Sequence, residues 1–120
     1  MRNLLKIEEL GQFLLATYLY AQTEYAWWLF PLLLLVPDLS MLGYMGGQKL
    51  GATLYNIFHH KFVAISFLIA GYYTDHSVCV LIGLILFAHA SMDRIFEYGL
   101  KFPDDFKHTH LGWIGRKPAD

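Results

Sequence analysis

An all-α fold, an antiparallel four-helix transmembrane bundle with a short polar C-terminal tail, is predicted by three features of this 120-residue chain. Hydrophobic residues make up 56% of it and charged residues only 16%, against about 25% charged in an ordinary soluble domain. Four apolar runs, Phe13 to Ala21, Ala26 to Pro37, Phe62 to Tyr73 and Ser77 to Ala88, are separated by short links. Segments such as WWLFPLLLLV and FVAISFLIAGYY carry no polar stripe at helical period. They suit lipid or a large core, and a chain this short has no large core.

Each run by itself falls short of the roughly 20 residues that a crossing needs. Counting the polar residues at one end gives spans Ile7–Gln22, Ala26–Tyr44, Leu50–Tyr73 and Ser77–Tyr98. In the first, Arg2 and Lys6 precede the apolar run as in a secretion signal. Glu8, Glu9 and Gln12 interrupt the transition and no small-x-small cleavage site follows, so it reads as a retained helix. The second ends VPDLSMLGY, where Pro37 removes a helical donor and leaves a carbonyl in need of a partner. The third opens LYNIFHHKF and the fourth closes LFAHASMDRIFEYG. Residues 1–100 form the membrane domain on this reading, and residues 101–120 a water-facing tail.

Short links make neighbouring spans antiparallel. Both termini and the link GYMGGQKLG then share one side with Arg2, Lys6, Lys49, Lys101, Lys107, Arg116 and Lys117. The opposite links hold Glu24, Asp75 and His76 with no Lys or Arg. Positive charge marks the first side as cytoplasmic, which predicts an inner (plasma) membrane protein with both termini inside. Tyr25, Trp27, Trp28, Tyr72 and Tyr73 form the far aromatic belt. The formal net charge of −1, without a basic stripe, excludes a nucleic-acid partner. Cys79, the one cysteine, allows no internal disulfide and no cysteine metal motif.

All four spans put polar groups in the cytoplasmic half: Glu8, Glu9 and Gln12; Asp38, Ser40 and Tyr44; Asn56 and His59 or His60; His89, Asp93 and Glu97. A charge facing lipid costs at least about 2.5 kcal/mol, so these groups are expected to converge on a polar cavity. His89 and Asp93, four apart, share a helix face. Asp38, His59, His89 and Asp93 form a candidate ligand set for zinc, manganese or iron, with a satisfied buried hydrogen-bond network as the plainer alternative. His59 and His60 point roughly 100° apart, and either can face the cavity. Glu97 or Glu8 is the candidate general base. Arg94 or Lys49 is the candidate binder of an anionic lipid or phosphate substrate. His108 and His110 project together if the tail is extended. The Gly-rich link lacks the G-x-x-x-x-G-K-[ST] of a phosphate loop.

The blocks PDLSMLGY, LYNIFHH, AHASMDRIFEYGLKF and FKHTHLG, in that order, resemble the bacterial membrane-protein family called domain of unknown function 4260, from about Ile7 to Gly115. The resemblance implies a small integral membrane protein and brings no established activity. It implies that Asp38, Ser40, Tyr44, Asn56, His59, His89, Asp93, Arg94, Lys101, His108 and His110 are its polar motif residues, and that the tail docks over the cavity.

Four functions follow from these residues. One is a membrane-embedded, metal-dependent hydrolase. Another is a structural or accessory subunit whose polar network specifies packing. The third is a proton- or ion-handling module, which four short helices could serve only as a homo-oligomer. The fourth is haem binding through His89 and His59 or His60, which the charges of Asp93 and Arg94 disfavour.

Overall fold

A computed structural model describes residues 1–96, Leu100, 108–109 and 111–113. The described chain is helical apart from one two-residue strand pair, His108–Thr109 against Gly112–Trp113. The helices are α1 (Arg2–Ala21), α2 (Leu29–Leu33), a 3-10 helix (Val36–Gly46), α3 (Gln48–His59), α4 (Lys61–Thr74) and α5 (Ser77–Ile95).

Helix α5 is the axis of the fold. From Val78 to Ala88 its sequence is apolar on every side, and half of the helix is buried, packed on α1 and α4. Leu84, Ala88 and His89 are fully enclosed. Helices α4 and α5 approach closely because glycines face the seam. A Cβ on Gly71 would lie 2.6 Å from the Val80 backbone nitrogen, and one on Gly83 would lie 2.8 Å from that of Leu68. Backbone cannot step aside as a side-chain tip can, so Gly71→Ala or Gly83→Ala is expected to lose about 1–3 kcal/mol of stability. Unfolding in mixed micelles, followed by circular dichroism, measures this; a loss below about 0.5 kcal/mol in both would refute the close packing.

Two differences from the predicted spans have local causes. The second span is not one α-helix, because Pro37 tightens the chain into 3-10 geometry from Val36. The third span is two helices. His60 is extended (φ −92°, ψ 124°), so α3 packs on the 3-10 helix while α4 turns to pack on α5. The freed backbone groups find side chains: Arg94 Nη2 donates to His59 O at 3.3 Å, and Phe62 N donates to His60 Nδ1 at 3.1 Å. A bundle of four unbroken helices is therefore replaced by five α-helices and a 3-10 helix among the described residues. Helix α1 also begins five residues before the predicted Ile7.

The antiparallel order is visible at both ends. The α1–α2 and α4–α5 links share a cavity of about 390 Å³ lined by Glu24, Tyr25, Asp75 and His76. At the other end Arg2 and Lys6 of α1, Arg94 of α5 and Leu111 of the tail share one of about 380 Å³. Asp75, in the left-handed region (φ 55°), ends α4, and His76 Nδ1 caps α5 by accepting from Cys79 N at 3.2 Å. Gly47 makes the opposite turn at φ 113°, which a Cβ would oppose.

Much of the outer surface is apolar. Leu4, Ile7, Leu14 and Tyr18 on α1, Leu32, Leu35 and Leu39 on the second span, and Phe62, Ile69 and Tyr73 on α4 are all exposed. Two helical stretches, Leu29–Gly46 and Ser77–Ile95, are long and apolar enough to cross a membrane. Leu29–Gly46 is little buried within the fold: Phe30, Leu33 and Leu34 pack on the core, while Leu32, Leu35, Leu39 and Leu42 remain exposed.

Candidate metal centre

The 3-10 helix, α3 and α5 bring four side chains to one point. His89 and Asp93 lie one turn apart on α5, His59 closes α3, and Asp38 follows Pro37. One ligand atom from each of the four lies within 4.8 Å of all the others. His89 Nε2 is 3.0 Å from Asp38 Oδ1 and 3.3 Å from Asp93 Oδ2. His59 Nε2 is 3.4 Å from Asp38 Oδ1 and 3.3 Å from Asp93 Oδ2. Nitrogen and oxygen therefore alternate around a small ring.

The far nitrogen of each imidazole is held by backbone. His59 Nδ1 donates to Tyr55 O at 2.8 Å, and His89 Nδ1 donates to Leu34 O in a short hydrogen bond. With the protons at Nδ1, each Nε2 presents a lone pair or a second proton to the carboxylates. A backbone carbonyl on the far nitrogen is the usual way a protein orients a metal-binding histidine.

The Leu34 carbonyl is free for this task because of a proline. Asp38 N donates to Leu35 O at 3.2 Å, so the chain here has 3-10 register. In that register the donor to Leu34 O is residue 37, and proline has no N–H. Pro37→Ala would restore a donor that competes with His89. We expect metal affinity to fall about tenfold or more, as for loss of other groups that orient ligands. Chelator competition measures it, and unchanged affinity would show that the Leu34 carbonyl does not orient His89.

Tyr55 completes the inner wall. Its ring stacks on His59 at 3.8 Å between centroids, and its hydroxyl donates to Asp93 Oδ2 at 3.4 Å. The tyrosine carries no signal in the sequence beyond standing four residues before His59 on one helix face. Burial is uneven: the side chains of His59, His89 and Asp93 are 3%, 0% and 12% exposed, and that of Asp38 is 45% exposed. Three donors are thus largely buried, and the fourth, Asp38, is partly exposed.

The remaining predicted residues fall elsewhere. His60 caps α4 and stays exposed, which settles the choice between the adjacent histidines in favour of His59. The His59 and His89 rings lie 4.8 Å apart at 70°, edge to face. Arg94 anchors the His59 carbonyl and reaches the cavity with Arg2, Lys6 and Glu9. The carbonyl of Lys49 accepts from Thr53 Oγ1 at 2.8 Å, within α3. Glu97 and His110 lie outside the described residues, as do Lys101 and the side chain of His108. Lys61, apparently stranded within a span, pairs with Glu9 and donates to Gln12 Oε1 at 2.6 Å, tying α4 to α1.

A family model described as domain of unknown function (DUF4260) matches residues 2–114. No curated protein and no solved structure matches the chain.

Proposed function

The chain belongs to the family described as domain of unknown function (DUF4260), and from its buried His/Asp cluster we propose that it is an integral membrane metalloprotein, most simply a metal-dependent hydrolase facing the cytoplasm. The observation that carries the proposal is the ring of 3.0–3.4 Å separations among two imidazole nitrogens and two carboxylate oxygens. Four ligands at about 2.0–2.1 Å from a tetrahedral centre stand roughly 3.3 Å apart, which matches the four separations around the ring, and all four atoms lie within 4.8 Å of one another. Manganese and iron accept the same donors. Two carboxylates facing two imidazole lone pairs repel one another. A divalent cation relieves this, as protonation of the imidazoles would.

The difference in burial assigns roles. His59, His89 and Asp93 are the permanent ligands. Asp38, the partly exposed member, would serve as fourth ligand or as the base. A cation held by these residues would supply an activated water for ester hydrolysis, and Asp38 would accept that water's proton and return it to the leaving oxygen. Arg94 positions His59 through its carbonyl. Arg2, Lys6 and Arg94, around the neighbouring cavity, favour an anionic lipid or phosphate substrate. The exposed apolar surface of α1, α4 and Leu29–Gly46 supports a lipid setting, with the cavity rich in Arg and Lys on the cytoplasmic side.

A second reading is favoured by the ligand count. Four protein ligands close a tetrahedral site, as in structural zinc centres. The cation would then staple the 3-10 helix and α3 to α5 without turnover.

The test is metal analysis by plasma mass spectrometry on protein purified from membranes. About one zinc, manganese or iron per chain is expected. Well-folded protein that takes up none of the three after dialysis against each would sink both readings and leave a hydrogen-bonded network.

A further inference from the structure

A cavity of about 480 Å³ runs between the 3-10 helix, α3, α4 and α5, and every side chain that lines it is hydrocarbon. Its inner end, the buried Pro37, Ile85 and Leu86, adjoins the His/Asp cluster through two stretches of chain: Pro37 precedes Asp38, and Ile85 and Leu86 lie one turn before His89 on α5. Its mouth is formed by Val36, Ile57, Phe58 and Ile82, which are exposed, as are the apolar Leu35, Leu39 and Ile65 on the helices and link around it.

We infer that this cavity seats one acyl chain of a membrane phospholipid whose polar end lies at Asp38, His59, His89 and Asp93. A wholly hydrocarbon slot gains nothing from a water-soluble ligand, and an acyl chain reaches its mouth directly from the bilayer. Polar donors stand only at the inner end, so the occupant is an amphiphile and its orientation is set. This names the substrate class for the proposed metal centre and rests on that reading and on the membrane setting.

Native mass spectrometry of detergent-released protein tests it, with palmitoyl lysophosphatidylglycerol as the probe. Wild type is expected to retain one molecule per chain. Leu86→Trp and Ile57→Trp fill the slot at its inner end and its mouth, and each is expected to reduce retention at least fivefold. Ile57 is half exposed, so its variant leaves the core intact and keeps the test valid if Leu86→Trp misfolds. Ile69→Trp, on the outer face of α4 away from the slot, is expected to retain the lipid. Equal retention in the Ile57 and Ile69 variants would overturn the inference. So would displacement of the probe by chain-free glycerophosphoglycerol, since binding would then reside in the headgroup. The metal appears in the same spectra as a separate mass increment. Protein without metal that still loses lipid on slot filling would reject the metal centre alone, whereas protein with metal and no slot effect would reject the acyl seat alone.

Discussion

His89→Ala is expected to abolish stoichiometric metal binding, and Asp38→Asn to keep the metal while abolishing turnover. His89 makes the shortest separation in the ring, 3.0 Å to Asp38, and lies 3.3 Å from Asp93. Alanine removes that donor and also leaves the Leu34 carbonyl without its partner. Loss of a buried ligand should exceed the roughly 10- to 100-fold cost of losing a supporting group, so occupancy after chelator challenge should fall to about a tenth or less. Asp38 is the exposed member, and asparagine retains an oxygen donor there while losing the ability to take a proton. Plasma mass spectrometry on both variants, with helicity as the folding control, measures the first half. Hydrolysis of phospholipids and phosphate esters measures the second. Metal kept by His89→Ala would refute the ligand assignment. Metal kept in full together with full turnover in Asp38→Asn would remove Asp38 as the base, and an inactive wild type with full metal would favour the structural centre.

The second large effect is on stability. Lys61 and Glu9 join α4 to α1 with side chains only 20% and 17% exposed, and Gln12 accepts from the same ammonium. Lys61→Met removes the ammonium paired with the part-buried Glu9 carboxylate, leaving it only the cavity cations Arg2, Lys6 and Arg94, and removing one member of such a pair costs about 3 kcal/mol. Glu9→Gln combined with Lys61→Met removes both charges and is expected to recover most of the loss, because methionine and glutamine fill similar space without an unpaired ion. Unfolding free energies in mixed micelles give the comparison. A double variant no more stable than Lys61→Met would show that the contact acts through packing and not through charge. Lys61 also lies 6.0 Å from the Phe87 ring centroid, so a small residual loss from that cation–π contact is expected in both variants.

The candidate site was unusually open to sequence reading because its residues are costly where they stand. Apolar helices carry few polar groups, so Asp38, His89 and Asp93 declare themselves by residue type alone. The i, i+4 spacing of His89 and Asp93 puts both on one face before any partner is known. Pro37 announced a carbonyl in need of a donor, and the structure supplies one in His89. Membership of the family described as domain of unknown function (DUF4260) was legible for the same reason, through blocks built around these polar residues.

What the sequence by itself determined was helical class, the shortage of charge and the stretches in which polar groups collect. These depend on composition and short-range periodicity, which each segment carries alone. The tertiary structure decided which groups meet. Neighbouring residues point roughly 100° apart, so the choice of His59 over His60 depends on where α3 stops, and that depends on α3 and α4 packing against different partners. The pairing of Lys61 with Glu9, the hydrogen bond of the Tyr55 hydroxyl to Asp93 and the hydrocarbon slot beside the ligands each join segments far apart in the chain. No local pattern encodes such contacts, because they are fixed by the relative rotation of packed helices.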